Sequence, residues 1–331
     1  MNDVLALLNQ ADLTQLADVI HVVKQVGSST ATTYRLDAIV KIGPRATIEA
    51  EVAAYRGITA DNAEARRVFP ACALQMLNAD EAMLFIEPIP GETLEDTILA
   101  IGKEAKELGC QHPRIIERQQ TITAMVTTVL EHLKVLHSSG TMVDHRCQLR
   151  MFVDELEAAL TENLHAAGIP KTVTALSRYP RFWKRGVASL AHRDLSVGNI
   201  IGTSTALRFI DPRTAVPNAH SGAPLASPLI DLIALAVSLE RKKLEVQRYD
   251  ANLTLEACEV VNRAIETALS DHIATPALGL LIDLVVRSAY TACRCTYCLA
   301  PERMWLYEHM RSTTEDALKR VAVMTREKRR Q

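Results

Sequence analysis

Hydrophobic and polar positions alternate over short runs in the first 90 residues, a pattern typical of β-strands. Two strand-like runs, VIHVVKQVG and TYRLDAIVKIG, flank a turn of small polar residues, and two more, CALQML and MLFIEPI, flank the polar turn 78–81. Between these pairs, Ile48, Val52 and Tyr55 recur at helical spacing. The pattern predicts a β-rich segment that contains one helix, preceded by an amphipathic helix at the N-terminus.

From residue 91 onwards, the hydrophobic pattern is mostly helical. The segment PIPGET, with two prolines and a glycine, breaks the sheet pattern. Long helical runs follow, interrupted by strand-like pieces around Ala191 and Phe209; they are RIIERQQTITAMVTTVLEHLKVLH, MFVDELEAALTENLHAAG, PLIDLIALAVSLERKK, TLEACEVVNRAIETALSDHI, ALGLLIDLVVRSAYTACRCTYCLA and a C-terminal helix. We therefore expect two lobes, residues 1–90 and 91–331, with a ligand cleft between them.

Composition is that of a globular protein, with 331 residues, 48% hydrophobic and 23% charged. The net charge of −2 and the aromatic fraction of 4% argue against a nucleic-acid partner. No apolar run reaches the roughly 20 residues of a membrane span, and no basic segment precedes the N-terminal apolar residues. Without an export signal, the seven cysteines, an odd number, favour reduced thiols over disulfides. We expect a cytoplasmic protein with no membrane partner.

Three residues whose side-chain oxygens could bind a metal ion lie close together in the second half of the sequence. The run AHRDLSVGNI places Asp194 five residues before Asn199, and RFIDPR places Asp211 after a short apolar run. Singly, an Asp or Asn in such a position is usually a turn residue or a helix cap. Together they have the chemistry of a magnesium site, because this hard cation prefers oxygen ligands and shares them with phosphates.

Several ordered motifs over residues 20–240 resemble the kinase-like phosphotransferases of the aminoglycoside phosphotransferase and choline kinase type. The catalytic loop of that family resembles HRDLSVGN, and its metal-binding segment resembles FIDPR. Its remaining motifs resemble AIVKIG (lysine strand), IEAEVAAY (glutamate helix), MLFIEPIPGETL (hinge), LEHLKVLHSSG and PLIDLIALA. The resemblance implies an α+β, two-lobed, protein-kinase-like fold, with a small β-rich N-lobe and a large, mostly helical C-lobe.

The resemblance also implies a role for each polar residue. Asp194 would accept a hydrogen bond from a substrate hydroxyl and orient it, and Asn199 and Asp211 would bind Mg²⁺. Lys41 would contact the α- and β-phosphates of the nucleotide. His192 would be structural, and Arg193 replaces the glycine that is usual in the family.

The acidic partner of Lys41 has two candidates, Glu49 and Glu51. They differ by two helical positions, about 200° around the axis, so they cannot face the same way. The family pattern of a glutamate six residues before an aromatic residue selects Glu49 through Tyr55, with Glu51 in reserve.

Further nucleotide contacts follow from the same resemblance. Ser28 and Ser29, in the turn between the first strands, would donate to phosphate oxygens. Backbone groups of Glu87 and Ile89 in the hinge would bind the adenine edge. Arg213 would either bind an anionic substrate or the transferred phosphate, or brace its loop through Asp231.

The sequence thus predicts a kinase that uses ATP, or alternatively GTP, and Mg²⁺ to phosphorylate a hydroxyl of a small molecule. An aminoglycoside-like antibiotic, a sugar, an amino alcohol and a natural-product intermediate are all acceptors of this kind. One alternative is a pseudokinase, a nucleotide-binding module without transfer, against which Lys41, Asp194, Asn199 and Asp211 argue. The other is a protein Ser/Thr kinase, disfavoured because no Ala-Pro-Glu segment follows closely after Asp211.

Overall fold

The computed structural model describes residues 21–25, 33–37, 39–60, 62–138, 141–143, 186–212 and 225–270, with scattered positions between 308 and 319. The strands are β1 (His21–Gln25), β2 (Thr33–Asp37), β3 (Ile39–Pro44), β4 (Cys72–Met76), β5 (Glu81–Ile86), β6 (Glu92–Thr93), β7 (Thr141–Val143), β8 (Gly186–Leu190), β9 (Ile200–Thr203), β10 (Ala206–Phe209) and β11 (Leu225–Ala226). The helices are α1 (Arg45–Thr59), α2 (Ala63–Val68), α3 (Leu94–Leu108), α4 (Pro113–His137), α5 (Leu229–Gln247) and α6 (Glu256–Ser270).

Antiparallel pairs build all the sheets of the described chain. β1 pairs with β2, and a three-stranded sheet has the order β3-β5-β4, in which Lys41 lies opposite Leu84. Two small sheets follow, in the orders β10-β9-β6 and β11-β8-β7. Strands predicted around both polar turns and around Ala191 and Phe209 are confirmed. The mixture of helices with small antiparallel sheets also confirms the α+β prediction.

Helix α1 forms on the predicted apolar stripe and packs against β4 and β5. Its buried face contains Ile48, Val52, Tyr55 and Ile58, which recur three or four residues apart. The next helix, α2, was missed because it has only six residues, three of them charged. Asn62 starts α2, since its side-chain oxygen accepts from two backbone N–H groups at 3.0 Å.

Helices α3 and α6 pack against α5, which is buried on nearly all sides, and α4 packs against α3 and α6. One continuous hydrophobic cluster runs from Ile48 in α1 through Leu94 in α3 and Leu133 in α4 to Ala268 in α6. No helix of the described chain is long and apolar enough to cross a membrane. The predicted N-terminal helix and those predicted over 151–168 and 277–300 lie outside the described residues, and the described positions of the predicted C-terminal helix, 308, 312, 315, 316 and 319, are helical. The lobe boundary at residue 90 stays a prediction.

The chain segment after the hinge approaches β9 closely at two glycines. Gly91 has φ +114° and Gly202 has φ +130°, a region that residues with a Cβ rarely adopt. A Cβ on Gly91 would lie 2.9 Å from the Cα of Gly202, and a Cβ on Gly202 would collide with the carbonyl oxygen of Ala206. Gly91 therefore permits the β6–β9 pairing beside the loop 192–199, and Gly202 permits the β9–β10 pairing.

Gly202→Ala should lower the free energy of unfolding more than Gly109→Ala does. Gly109 also has a positive φ, +82°, but a Cβ there would have no atom within 4 Å. The control therefore reports backbone strain alone, about 1–3 kcal/mol, and Gly202→Ala adds a steric clash of about 1–3 kcal/mol. Urea denaturation of both variants measures the difference, and equal losses would contradict this account.

Candidate active site

Asp231, in the first turn of α5, holds the start of the loop 192–199, which the sequence predicts as the catalytic loop. Its carboxylate is fully buried, and it accepts hydrogen bonds from the backbone N–H groups of His192 at 2.9 Å and Arg193 at 2.7 Å. His137 Nε2 lies 3.1 Å from the same carboxylate. Arg193 has φ +67°, which a glycine would adopt without strain. The hydrogen bond to Asp231 stabilises this unusual backbone at Arg193.

His192 connects the catalytic loop to the segment that carries Asp211. Its Nε2 donates to the carbonyl oxygen of Ile210 at 2.7 Å, and its Nδ1 accepts from the backbone N–H of Asp194 at 3.3 Å. The ring is fully buried and stacks on Phe69 with centroids 5.8 Å apart. Burial lowers the pKa of His192 below its ordinary value, so the neutral ring is favoured. These contacts give His192 the structural role that the sequence predicts.

Asn199 closes the catalytic loop back onto Asp194. Its side-chain Nδ2 donates to the carbonyl oxygen of Asp194 at 2.8 Å, and its own carbonyl oxygen accepts from the backbone N–H of Ile210 at 3.0 Å. With the amide nitrogen used in this way, Oδ1 is the atom of the side chain that can act as a metal ligand. The two bonds bring the Asp194–Asn199 loop and the Asp211 segment together.

Lys41 joins β3 to the Asp211 segment and to α1. Its ammonium group lies 2.7 Å from Glu51 Oε2 and 3.2 Å from Asp211 Oδ1. The Glu51 side chain is 8% exposed, whereas those of Lys41 and Asp211 are 41% and 39% exposed. Solvent and ligands can therefore reach Lys41 and Asp211, while Glu51 lies behind them.

The predicted pairing of Lys41 with Glu49 is wrong, and Glu51 is the partner. Glu49 instead forms an exposed ion pair with Arg45, one turn earlier in α1, at 2.9 Å. Glu51 lies on the buried face of α1, three residues after Ile48 and four before Tyr55. The apolar stripe that predicts α1 also contains the signal for Glu51, because a charge within that stripe must meet a partner.

The three charged groups around Lys41 change one another's pKa values. Burial, together with the nearby charge of Asp211, raises the pKa of Glu51 to about 7 despite the hydrogen bond from Lys41. Partial burial favours the neutral form of Lys41, but the hydrogen bond to Glu51 and the charge of Asp211 hold its pKa above the ordinary value. Glu51 can therefore hold a proton near neutral pH, whereas Lys41 stays charged beside Asp211.

Tyr55 fixes the backbone of Asp211, a role that sequence reasoning missed. The Tyr55 hydroxyl oxygen accepts from the backbone N–H of Asp211 at 2.9 Å, and Asp211 has φ +56°. Burial raises the pKa of Tyr55 above its ordinary value, so the hydroxyl stays protonated. A buried tyrosine normally needs a hydrogen-bond partner for its hydroxyl. The position of Tyr55 on the apolar stripe of α1 was therefore a signal that its hydroxyl binds another group.

In the hinge, the backbone N–H of Glu87 donates to the carbonyl oxygen of Ala71 at 2.9 Å, and the Glu87 side chain accepts from the N–H of Ala71 at 3.2 Å. Because the backbone N–H of Glu87 already donates to Ala71, the backbone group of Glu87 that could bind an adenine is its carbonyl oxygen, which would accept from the amino group. Ile89 is half-buried two residues later. Ser28, Ser29 and Arg213 lie outside the described residues.

No family model matches the chain, and no curated protein matches it. Solved structures match its fold. A thermostable mutant of the aminoglycoside phosphotransferase APH(4)-Ia, in a ternary complex with ADP and hygromycin B, is 10% identical with a TM-score of 0.56, covering 92% of this chain and 98% of that one. A glucosamine kinase is 12% identical with a TM-score of 0.52, covering 91% and 82%. The chain therefore has the two-lobed, protein-kinase-like α+β fold of these proteins.

Proposed function

We propose that this protein is a phosphotransferase that uses ATP and Mg²⁺ to phosphorylate a hydroxyl of a small molecule. The observation that carries the proposal is the contact of Lys41 with both Glu51 and Asp211. Phosphoryl transfer needs a lysine held by an acid for the nucleotide phosphates and a second acid for the metal. Here β3, α1 and the segment after β10 supply these groups at one point.

Asn199 and Asp211 would hold the Mg²⁺ ion. Their donor set, one amide oxygen and one carboxylate, suits a cation that prefers oxygen and shares its coordination with phosphates. Asp211 is 39% exposed, so its carboxylate can reach a bound cation. When bound, the ion would neutralise charge on the nucleotide phosphates. Lys41 would then contact the α- and β-phosphates.

Asp194 would orient the attacking hydroxyl of the substrate. Its backbone is fixed on both sides, because its N–H donates to His192 and its carbonyl oxygen accepts from Asn199 and from the backbone N–H of Ser196. A carboxylate accepts the hydroxyl hydrogen bond without adding a competing donor. The fixed backbone supports this role, since orientation needs a side chain with a defined origin.

The carbonyl of Glu87 and the N–H of Ile89 would bind the nucleotide base, with ATP or GTP as the nucleotide. We further propose that Ser28 and Ser29 contact phosphates and that Arg213 contacts the substrate or the transferred phosphate. The similar solved structures include an aminoglycoside phosphotransferase with hygromycin B and a glucosamine kinase. They support an acceptor class of hydroxylated small molecules: aminoglycoside-like antibiotics, sugars, amino alcohols or natural-product intermediates.

Magnesium and ATP together should raise the melting temperature of the wild-type protein, and Asp211→Asn should lose the magnesium-dependent part of that rise. A ligand that binds the folded state stabilises it by mass action, by about 2.7 kcal/mol at 100 times Kd. Scanning calorimetry with ATP or GTP, with and without Mg²⁺, tests this directly. No shift with either nucleotide would contradict the proposed nucleotide site.

Asp194→Asn should retain the nucleotide-dependent shift but lose transfer. The amide keeps the shape of the side chain while it removes the charge that orients the hydroxyl, so the rate should fall by about 10²–10⁴-fold. Transfer from labelled ATP to a panel of aminoglycosides, sugars and amino alcohols provides the rate. Wild-type binding without transfer would favour the pseudokinase alternative, and label on casein would favour a protein kinase.

Glu51→Gln should weaken nucleotide binding about tenfold or more, whereas Glu49→Gln should leave it nearly unchanged. The two variants remove the same charge from the same helix, but only Glu51 contacts Lys41. Loss of a hydrogen bond between charged groups costs about 1.5–3 kcal/mol, which corresponds to this change in Kd. Calorimetric titration with ATP at saturating Mg²⁺ measures both, and a larger effect at Glu49 would overturn the assignment.

A further inference from the structure

A buried ion pair lies outside the proposed nucleotide site, between α3 and α5. Lys242 is 2% exposed, and its ammonium group lies 2.5 Å from Glu95 Oε1 and 2.6 Å from Glu245 Oε2. A buried ammonium group is costly unless it is paired. Glu245 lies on α5 with the lysine, whereas Glu95 lies in the first turn of α3 and so connects two helices.

The same face of α5 holds the catalytic loop at two more points. Asp231, Ser238 and Lys242 are seven and then four residues apart, which places them on one side of the helix. Asp231 binds the start of the loop, and the Ser238 hydroxyl oxygen accepts from the backbone N–H of Val197 at 3.2 Å near its end. The Ser238 hydroxyl itself donates to the carbonyl oxygen of Leu235, which fixes its orientation.

Glu95 contacts the catalytic loop at Gly198, one residue after Val197. A Cβ on Gly198 would lie 2.8 Å from Glu95 Oε2, so this carboxylate lies directly against the backbone of Gly198. Its other oxygen, Oε1, binds Lys242. Glu95 therefore lies between the buried lysine and the residue that precedes Asn199.

We propose that the Glu95–Lys242 ion pair positions Asn199 for metal binding; the inference rests on the function proposed above. Asn199 follows Gly198 directly, and its backbone N–H donates to the carbonyl oxygen of Ser196 at 2.9 Å. A shift of Gly198 would therefore move the Asn199 amide with it. Glu95 acts as a positioning residue through Gly198.

Movement of Glu95 away from Gly198 would break its ion pair with the buried Lys242, which is energetically costly. If Glu95 moved away, Lys242 would stay buried with Glu245 as the remaining carboxylate of this cluster. Glu245 is on α5 itself and is 31% exposed, and it borders the lysine rather than Gly198. The two glutamates are thus alike in charge and in distance to Lys242, and they differ in contact with the loop.

Glu95→Gln should raise the Mg²⁺ concentration needed for half of the ATP-induced melting shift by about tenfold, the usual effect of disturbing a group that orients a metal ligand. The matched control Glu245→Gln removes the other carboxylate from the same lysine and should change it less than about twofold. The measurement is a Mg²⁺ titration of the full-length chain at fixed ATP. Melting temperatures without ligand are recorded for both variants, because a purely structural role would change those alone.

Gly198→Ala provides a second test, and it holds even if Glu95→Gln does not fold. The added methyl group would meet Glu95 Oε2 without changing any charge, so it should raise the Mg²⁺ requirement in the same direction. Equal Mg²⁺ requirements for Glu95→Gln, Glu245→Gln and wild type, with a normal wild-type response, would overturn the positioning role alone. A wild-type protein without a Mg²⁺-dependent shift would overturn the proposed function and this inference together.

Discussion

The arrangement of the site depends on the hydrogen bonds that the buried carboxylate of Asp231 accepts from the backbone of His192 and Arg193. Burial alone would raise its pKa, but the hydrogen bond to His137, with the backbone N–H of His192, holds the pKa of Asp231 below its ordinary value. The ionised group can therefore stay inside the protein, where it fixes the positive φ of Arg193. From Arg193 onwards, the direction of the loop that carries Asp194 and Asn199 is set.

Helix α1 contributes a second fixed point, because two of its side chains reach the site from one face. Glu51 binds Lys41, and Tyr55, one turn later, binds the backbone of Asp211. Since Lys41 also contacts Asp211, the proposed phosphate and metal ligands form one connected set. Rotation of α1 would disturb Lys41 and Asp211 at once.

Much of this arrangement could be predicted from the sequence, and the rest depends on distances through space. The period of the apolar residues predicts α1 and most strands. The ordered motifs predict that Lys41 and Asp211 are residues of the site. The pairing of Lys41 depends on which face of α1 meets the sheet, so a spacing rule selected Glu49 wrongly. Glu95 and Lys242 are far apart in the chain, and no local pattern relates them. Their contact exists only once α3 packs on α5.

Backbone strain is concentrated where the proposed chemistry would occur. In the described part of the chain, Arg193 and Asp211 are the non-glycine residues with positive φ, and both lie beside the proposed catalytic and metal-binding groups. Such conformations cost about 1–3 kcal/mol and persist only where surrounding contacts determine them. Here the backbone N–H of each strained residue donates to a buried acceptor, Asp231 in one case and Tyr55 in the other. The geometry of the site is therefore set by the protein's own contacts, and a nucleotide would meet ligands that are already oriented.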